Sequence, residues 1–333
     1  MSARDVSRPS VAVQPKASGL RRIIVLLGEY GFIVIFILLA LYLTVATRNF
    51  ATEQNLFTIL RQATITGIIA IGAHFIILLG DIDLSPAAVL SLSGVAAAWL
   101  MVNQEMPALL AVLIALGIGG LVGLINGLIV TQLQINAIIT TLGMAGILGG
   151  LSFIITEGRT VFGDSLDAVE FLSRGTVFER IPVPVIILFA AYVIAFLVLR
   201  YTTFGAKVFA VGNNDRAAFL SGISVTRVKI LTFMLAGVLA AFAGILQVAR
   251  QGTATAGMGD DFLFPTLTAV VLGGASLKGG RGKIINTLIA AVFLTTITNG
   301  MVLLSINIYT QRVISGAILI VALSLDRLRM LKR

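Results

Sequence analysis

The chain has no cysteine and a single histidine, His74, among its 333 residues. The first absence excludes disulfides and thiolate metal sites, and the second excludes histidine-rich metal clusters. Charge is scarce too, since Asp, Glu, Lys and Arg together make up 12% of the residues. No Ser/His/Asp set and no pair of carboxylates is arranged for hydrolysis, which disfavours an enzyme. The formal net charge is +9, but no separate basic domain carries it, so the sequence predicts no nucleic-acid partner.

Apolar residues are abundant. They form 58% of the chain, and mean hydropathy is +1.03, well beyond the roughly 45 to 50% apolar content of a soluble domain. A helix needs about 20 apolar residues to cross about 30 Å of hydrocarbon. Cutting the sequence at charges, Pro and Asn leaves ten runs: 24–46, 58–79, 85–102, 107–130, 138–156, 183–199, 229–249, 264–276, 284–304 and 310–325. The eighth is the shortest. Backbone groups in lipid must find partners within their own segment. The expected fold is therefore an all-α, polytopic transmembrane helical bundle of about ten spans, with membrane lipid as its surroundings. Residues 1–22, with Arg4, Arg8, Lys16, Arg21 and Arg22 among Ser and Pro, read as a disordered tail. The first run is too long for a signal-peptide core and reads as an uncleaved span opening a membrane domain over 23–326. Residues 327–333 read as a short basic tail.

Cations set the orientation. With both termini in the cytoplasm, the inner side carries the N-terminal cations, Arg200, Lys207, Arg216, Arg227 and Lys229, then Lys278, Arg281 and Lys283, and the four cations of 327–333. The outer side keeps only Arg48, Arg61, Arg159, Arg174, Arg180, Arg250 and Arg312. This asymmetry follows the positive-inside rule. It makes 200–229 the main cytoplasmic loop and 157–182 the longest external one.

GDIDLS, residues 80–85, lies between two apolar runs. A carboxylate at the bilayer centre costs about 2.5 to 3.5 kcal/mol on insertion scales, so Asp81 and Asp83 are expected in a turn. Ser85 before Pro86 reads as a helix start, with the serine oxygen capping free N–H groups and the carboxylates near a helix N-terminus. Two readings remain open, a structural cap and a charged latch or proton site. GGASLKGGRGK, residues 273–283, is not a phosphate-binding loop, because Leu277 stands at the required first glycine and Ile284 replaces Ser/Thr. Its glycines suit a tight backbone re-entry. The two loops share a frame, Leu79, Gly80 and Leu84 against Leu272, Gly273 and Leu277, which suggests an internal repeat.

Within 200–229, Asn214 is placed to cap a short helix over Asp215, Arg216, Ala217, Ala218, Phe219, Leu220 and Ser221, with Gly222 ending it. Phe219 and Leu220 beside Arg216 form either a plain surface turn or a docking knob. Gly119, Gly123 and Gly127, and likewise Gly143, Gly146 and Gly150, recur at a spacing that permits close helix packing. Asn126, Thr140, Thr141, Thr295, Thr296, Thr298 and Asn299 lie inside apolar runs, where they bond one another or line a path for a hydroxyl-rich solute. Asn126 and Asn299 are the candidate path residues, since an amide both donates and accepts. His74 reads as a hydrogen-bonded core residue before a ligand or relay. No carboxylate sits at mid-span, as a proton-coupled carrier would require.

Taken together, NLFTILRQA (55–63), GDIDLS, NAIITTLGM (136–144), FGAKVFAVGNNDRAAFLSGISVTRVK (204–229), LAGVLAAFAGIL (235–246) and TAVVLGGASLKGGRGKI (268–284) are specific. Through them the chain resembles the permease subunits of ribose-type bacterial ABC importers over nearly all of 24–326. The resemblance implies an inner-membrane permease working with a second permease copy or paralogue, cytoplasmic ATP-binding subunits and a periplasmic solute-binding protein. It implies transport of a monosaccharide such as ribose by alternating access, with no enzyme activity and no cofactor on this chain. It assigns residues 213–222 to contact with the ATPase, and it places binding-protein docking on external loops, chiefly 157–182 and 250–262. Where relatives usually read G-G-I-D-L-S-x-G, this chain has Asp81 and Pro86-Ala87, and His74 replaces a small polar residue. The alternative from another class is a stand-alone, ion-coupled carrier.

Overall fold

The computed structural model describes the backbone of residues 19–331, and side chains for 32–321 and 324. The helices in chain order are α1 (Gly19–Ala46), α2 (Glu53–Leu78), α3 (Pro86–Asn103), α4 (Ala108–Gln132), α5 (Ala137–Thr156), α6 (Asp167–Arg174), α7 (Val183–Tyr201), α8 (Thr203–Asn213), α9 (Asp215–Leu220), α10 (Val225–Gln251), α11 (Leu263–Leu272), α12 (Ile284–Leu303) and α13 (Ile308–Leu331). Four two-residue strands, β1 (Val161–Phe162), β2 (Thr176–Val177), β3 (Ile181–Pro182) and β4 (Thr253–Ala254), occur only in connections.

Among the described residues, seven helices are long and apolar enough to cross a membrane: α2, α3, α4, α5, α7, α10 and α12. The apolar parts Phe32–Ala46 and Ile308–Val321 are shorter. The run expected at 264–276 does not continue as one span. Its helix, α11, has ten residues and is about 15 Å long, half the hydrocarbon thickness. It stops because Gly274 takes φ +87° while the Ala275 N–H reaches back to the Val270 carbonyl at 3.2 Å, a glycine-dependent C-terminal cap.

α10 is the centre of the bundle and packs on α2, α3 and α4. Small residues set how closely. A Cβ on Gly123 would collide with the Phe233 carbonyl oxygen, one on Gly119 with that of Gly237, and one on Gly127 would lie 2.8 Å from the Ile230 Cα. The second glycine stripe behaves differently: Gly143, Gly146 and Gly150 on α5 have no atom within 4 Å of a built Cβ. The expected packing therefore holds for α4 and fails for α5 within this chain, because α5 turns that face away from its neighbours.

Four other boundaries differ from expectation. The tail expected over 1–22 lies outside the described residues up to 18, while Gly19 to Arg22 already belong to α1, since no proline or cap signal separates them from the apolar run. The tail expected at 327–333 continues α13 as far as Leu331, since Leu, Arg and Met are good helix formers, and residues 332–333 lie outside the described residues. Residues 157–182 fold into β1, α6, β2 and β3, fastened to the bundle by buried Leu166 and Val169. Residues 200–229 contain α8 as well as α9.

Candidate functional site

α7 runs from the end of the bundle carrying α6 to the end carrying α8 and α9, so these two ends lie on opposite sides of one span. At the α9 end, α2 closes with Gly80 at φ +82° and an Asp81 N–H bond to the Ile76 carbonyl at 3.3 Å. The same cap closes α11 with Gly274. The structural match therefore pairs Gly80 with Gly274, one residue away from the frame that pairs it with Gly273. The local cap geometry decides, because the left-handed residue must follow the last helical carbonyls by a fixed count.

Beyond that cap, Asp83 is buried, and its Oδ1 accepts from the Ser85 N–H at 2.8 Å and the Ser85 hydroxyl at 2.6 Å. Burial pushes this carboxyl above the usual carboxylate range, and the two Ser85 bonds oppose the shift. The Ser85 hydroxyl also accepts from Asn126 Nδ2 at 3.1 Å, and the Leu84 N–H donates to Thr141 Oγ1 at 2.9 Å. Ser85 thus precedes α3 with Pro86 in the first turn, as expected, but makes no capping bond with its side chain. Its hydroxyl is committed to Asp83. Asp81 instead pairs with Lys229 of α10, Nζ to Oδ2 at 2.8 Å and mostly shielded from solvent, tying the α2–α3 turn to the central helix.

The 273–283 turn packs into the same place. The Gly280 N–H donates to the Leu78 carbonyl at 2.8 Å. A Cβ on Gly279 would lie 2.6 Å from the Gly212 carbonyl oxygen and 2.8 Å from the Gly80 nitrogen. A Cβ on Gly212, at the end of α8, would collide with the Leu78 oxygen. Three segments far apart in sequence therefore meet backbone to backbone, which only glycine permits. Further along α2, His74 is fully buried and hydrogen-bonded to Thr287 of α12 at 2.8 Å. Among the described residues no cluster of metal-ligating side chains surrounds it.

α8 leads from this junction to α9. Its Thr202 cap accepts from the Gly205 N–H, and Phe204 stacks on Phe75 of α2 at 6.3 Å. Asn214 Oδ1 then accepts the Ala217 N–H at 2.9 Å and starts α9. Gly222 at φ +82° ends it, with the Ile223 N–H on the Ala218 carbonyl and the Ser221 hydroxyl on that of Ala217. Ala218 faces inward, while Asp215, Arg216, Phe219 and Leu220 are exposed, the last two at 68% and 76%. Two large apolar side chains are thus held out at the tip of a capped helix.

At the α6 end, a cavity of about 350 Å³ opens between α2, α10, α11, α12 and α13. Its polar lining includes Gln62, Thr66, Arg250, Thr268, Thr295, Thr298, Gln311 and Ser315, with Phe262, Leu294 and Ile318 as apolar walls. The hydroxyls of Thr268, Thr295 and Thr298 donate to backbone carbonyls of their own helices, so their oxygens retain acceptor capacity. The side chains of Gln62, Thr66 and Arg250 make no hydrogen bond or ion pair to another described residue. Asp261, also at the cavity, pairs with Arg312 at 3.1 Å. Sequence patterning had singled out Thr295 and Thr298. Gln62 lies in the 55–63 motif and Arg250 opens the expected docking segment, but nothing local marks them, or Gln311, as lining one site, because only the fold brings their helices together.

The two candidate path residues are not brought together. Asn126 is buried and bonded to Ser85 at the α9 end. Asn299 exchanges amide bonds with Asn55 at 2.9 and 3.0 Å, near the start of α2 at the opposite end. The segments 157–182 and 250–262 do meet: β1 pairs with β4 in antiparallel register, and Arg174 Nη2 donates to the Arg250 carbonyl at 3.2 Å.

The sequence profile of the family described as "Branched-chain amino acid transport system / permease component" matches residues 55–323. The chain belongs to this family of ABC-importer permeases. It is 38% identical over 297 residues to the ribose import permease protein RbsC of Bacillus subtilis (strain 168), covering 89% of this chain and 91% of that protein. It is 35% identical to the D-allose transport system permease protein AlsC of Escherichia coli (strain K12), covering 90% and 92%. It is also 35% identical to the L-arabinose transport system permease protein AraH of the same strain, covering 90% of each. No solved structure matches significantly. These matches agree with the resemblance carried by the motifs, and place the chain as a multi-pass inner-membrane permease.

Proposed function

We propose that the chain is the translocating subunit of an ATP-driven, binding-protein-dependent importer of a monosaccharide such as ribose. The observation that carries this is the close similarity, over about nine-tenths of the chain, to permeases named for ribose, allose and arabinose. ATP is hydrolysed on separate cytoplasmic subunits, a periplasmic binding protein delivers the solute, and a second permease copy or paralogue completes the pathway. Both termini and the α9 end face the cytoplasm, consistent with the cation asymmetry of the sequence. Counting α1, the short α11 and α13 with the seven long helices gives about ten membrane-associated segments.

The solute enters the cavity at the α6 end. Its volume falls within the ~300 to 1,000 Å³ of small-molecule sites. Threonine oxygens accept from sugar hydroxyls, and Arg250 and Gln62 donate to them. The facing segments 157–182 and 250–262 receive the binding protein as one surface. At the other end, ATPase subunits grip residues 214–222, with Phe219 and Leu220 as the anchors. Their movement passes through α8 to the glycine junction at Leu78, Gly80, Gly212 and Gly279, and so to α2, α11 and α12, three of the helices that line the cavity. Asp81, Asp83 and Ser85 act here as structural ties, and Asn126 and Asn299 as fixed polar contacts beside the route. A stand-alone carrier is not favoured, since Asp83, the one buried carboxylate among the described residues, is held by Ser85 away from the cavity.

Reconstituting the chain in vesicles with its ATP-binding subunit and binding protein is expected to give ATP-dependent uptake of labelled ribose and none of labelled leucine. Uptake by the chain alone, driven by an ion gradient, would overturn the reading. Phe219→Asp with Leu220→Asp is expected to abolish uptake while leaving membrane insertion intact.

A further inference from the structure

A second cavity, of about 360 Å³, lies beside α9 between α8 and the start of α10. Its lining includes two cations, Lys207 of α8 and Arg227 of α10, both exposed and neither paired with a described acidic residue. Ser224, the N-cap of the 27-residue α10, also lines it and makes no capping bond. First-turn N–H groups of that helix are thereby left available to an anion. The remaining lining is exposed Thr203 and Gly222 together with apolar Phe204, Ile223, Val228 and Leu231. Along α10 the lining changes from Arg227 in the first turn to half-exposed Leu231 four residues later, about 6 Å deeper into the span. α7 ends beside this groove with Arg200 and the exposed Tyr201, residue types that favour the membrane interface.

We propose that this groove binds an anionic phospholipid, its phosphate between Lys207 and Arg227 and its acyl chain along Leu231 and Phe204. The polarity gradient decides the ligand class. Two unpaired cations match an anionic headgroup in the leaflet toward which the cation-rich end of the chain faces. The apolar floor continues the surface of the membrane-spanning α10, which suits an acyl chain, and the groove adjoins the segment given to the ATPase at Gly222. The bound lipid would brace the joint between α8 and α10, next to the coupling helix.

The test is lipid retention by the full chain, solubilised with equal amounts of phosphatidylglycerol and phosphatidylcholine, with bound lipid counted by mass spectrometry. Phosphatidylglycerol is expected to be retained preferentially, with the preference falling about fivefold for each charge removed in Lys207→Gln and Arg227→Gln. Arg227→Lys is expected to keep most of it, and Leu231→Asn to weaken it. Raising ionic strength on the unaltered chain is expected to erode the preference, a readout that does not depend on a variant folding. Equal retention of the two lipids, or a preference unaffected by both charge removal and salt, would overturn the proposal. So would variants that lose the ATP-binding subunit while retaining the lipid, which would assign the groove to a protein partner.

Discussion

At the α9 end, Asp83, Ser85 and Asn126 bond to one another, Asp81 meets Lys229, and glycines at 80, 212 and 279 bring three backbones into contact. At the α6 end, Gln62, Thr66 and Arg250 face a cavity of about 350 Å³ without a described partner. Both regions are polar and both lie among membrane-spanning helices, yet the side chains of the first are largely spent on one another, with Asn126 Oδ1 left over, while those of the second face an open cavity. A buried polar group costs free energy unless it is hydrogen-bonded. The closed set therefore reads as structure, and the open set as a place where a solute completes the bonding.

The sharpest way to separate packing from function lies in the two glycine stripes. Gly123→Val forces a side chain into the α10 backbone, and overpacking of this kind costs about 1 to 3 kcal/mol or more. It is expected to abolish recovery of monodisperse protein, whereas Gly146→Val on α5 should leave the yield and thermal unfolding of this chain unchanged. Next in size is Asp83→Ala, which strips the Ser85 N–H and hydroxyl of their acceptor at about 1 to 3 kcal/mol for a group left unsatisfied. Thermal unfolding should show the loss, with Asp83→Asn retaining much of the stability because an amide oxygen still accepts. Arg250→Ala should do the reverse: unfolding is unchanged, and solute affinity falls about ten- to a hundredfold, the range for a hydrogen bond to a charged group. If Arg250→Ala unfolds the protein and Asp83→Ala only slows transport, the comparison is inverted. The smallest effect is expected at the Arg180 and Glu53 ion pair, 2.7 Å long and well exposed, where Glu53→Gln should change neither stability nor uptake.

The sequence was most informative where a rule is local. Asn214 and Gly222 mark both ends of α9 because a side-chain cap and a left-handed residue act within four positions, and the apolar runs located the helices because length and hydropathy are counted along the chain. It was least informative where a partner comes from elsewhere. Gly123 and Gly146 have the same spacing, and only the position of α10 distinguishes them. Ser85 before Pro86 looks like a cap, but Asp83 two residues earlier captures its hydroxyl. α8 went unread because Gly205 and Gly212 interrupt its pattern, although Gly212 is required by contact with Leu78. Arg250, Gln62 and Gln311 lie on three helices far apart in sequence and show no common motif.

The absence of cysteine allows the central claim to be tested in one measurement. Thr298→Cys places a unique thiol in the cavity, and Gln104→Cys places one on the exposed α3–α4 connection, outside the segments given to the binding protein. Each is treated with a bulky, membrane-impermeant thiol reagent in vesicles containing the complete importer, and ATP-driven uptake of labelled ribose is followed. Uptake should stop when Thr298→Cys is modified and continue when Gln104→Cys is modified. Unimpaired ribose uptake with the cavity filled at position 298 would contradict the account.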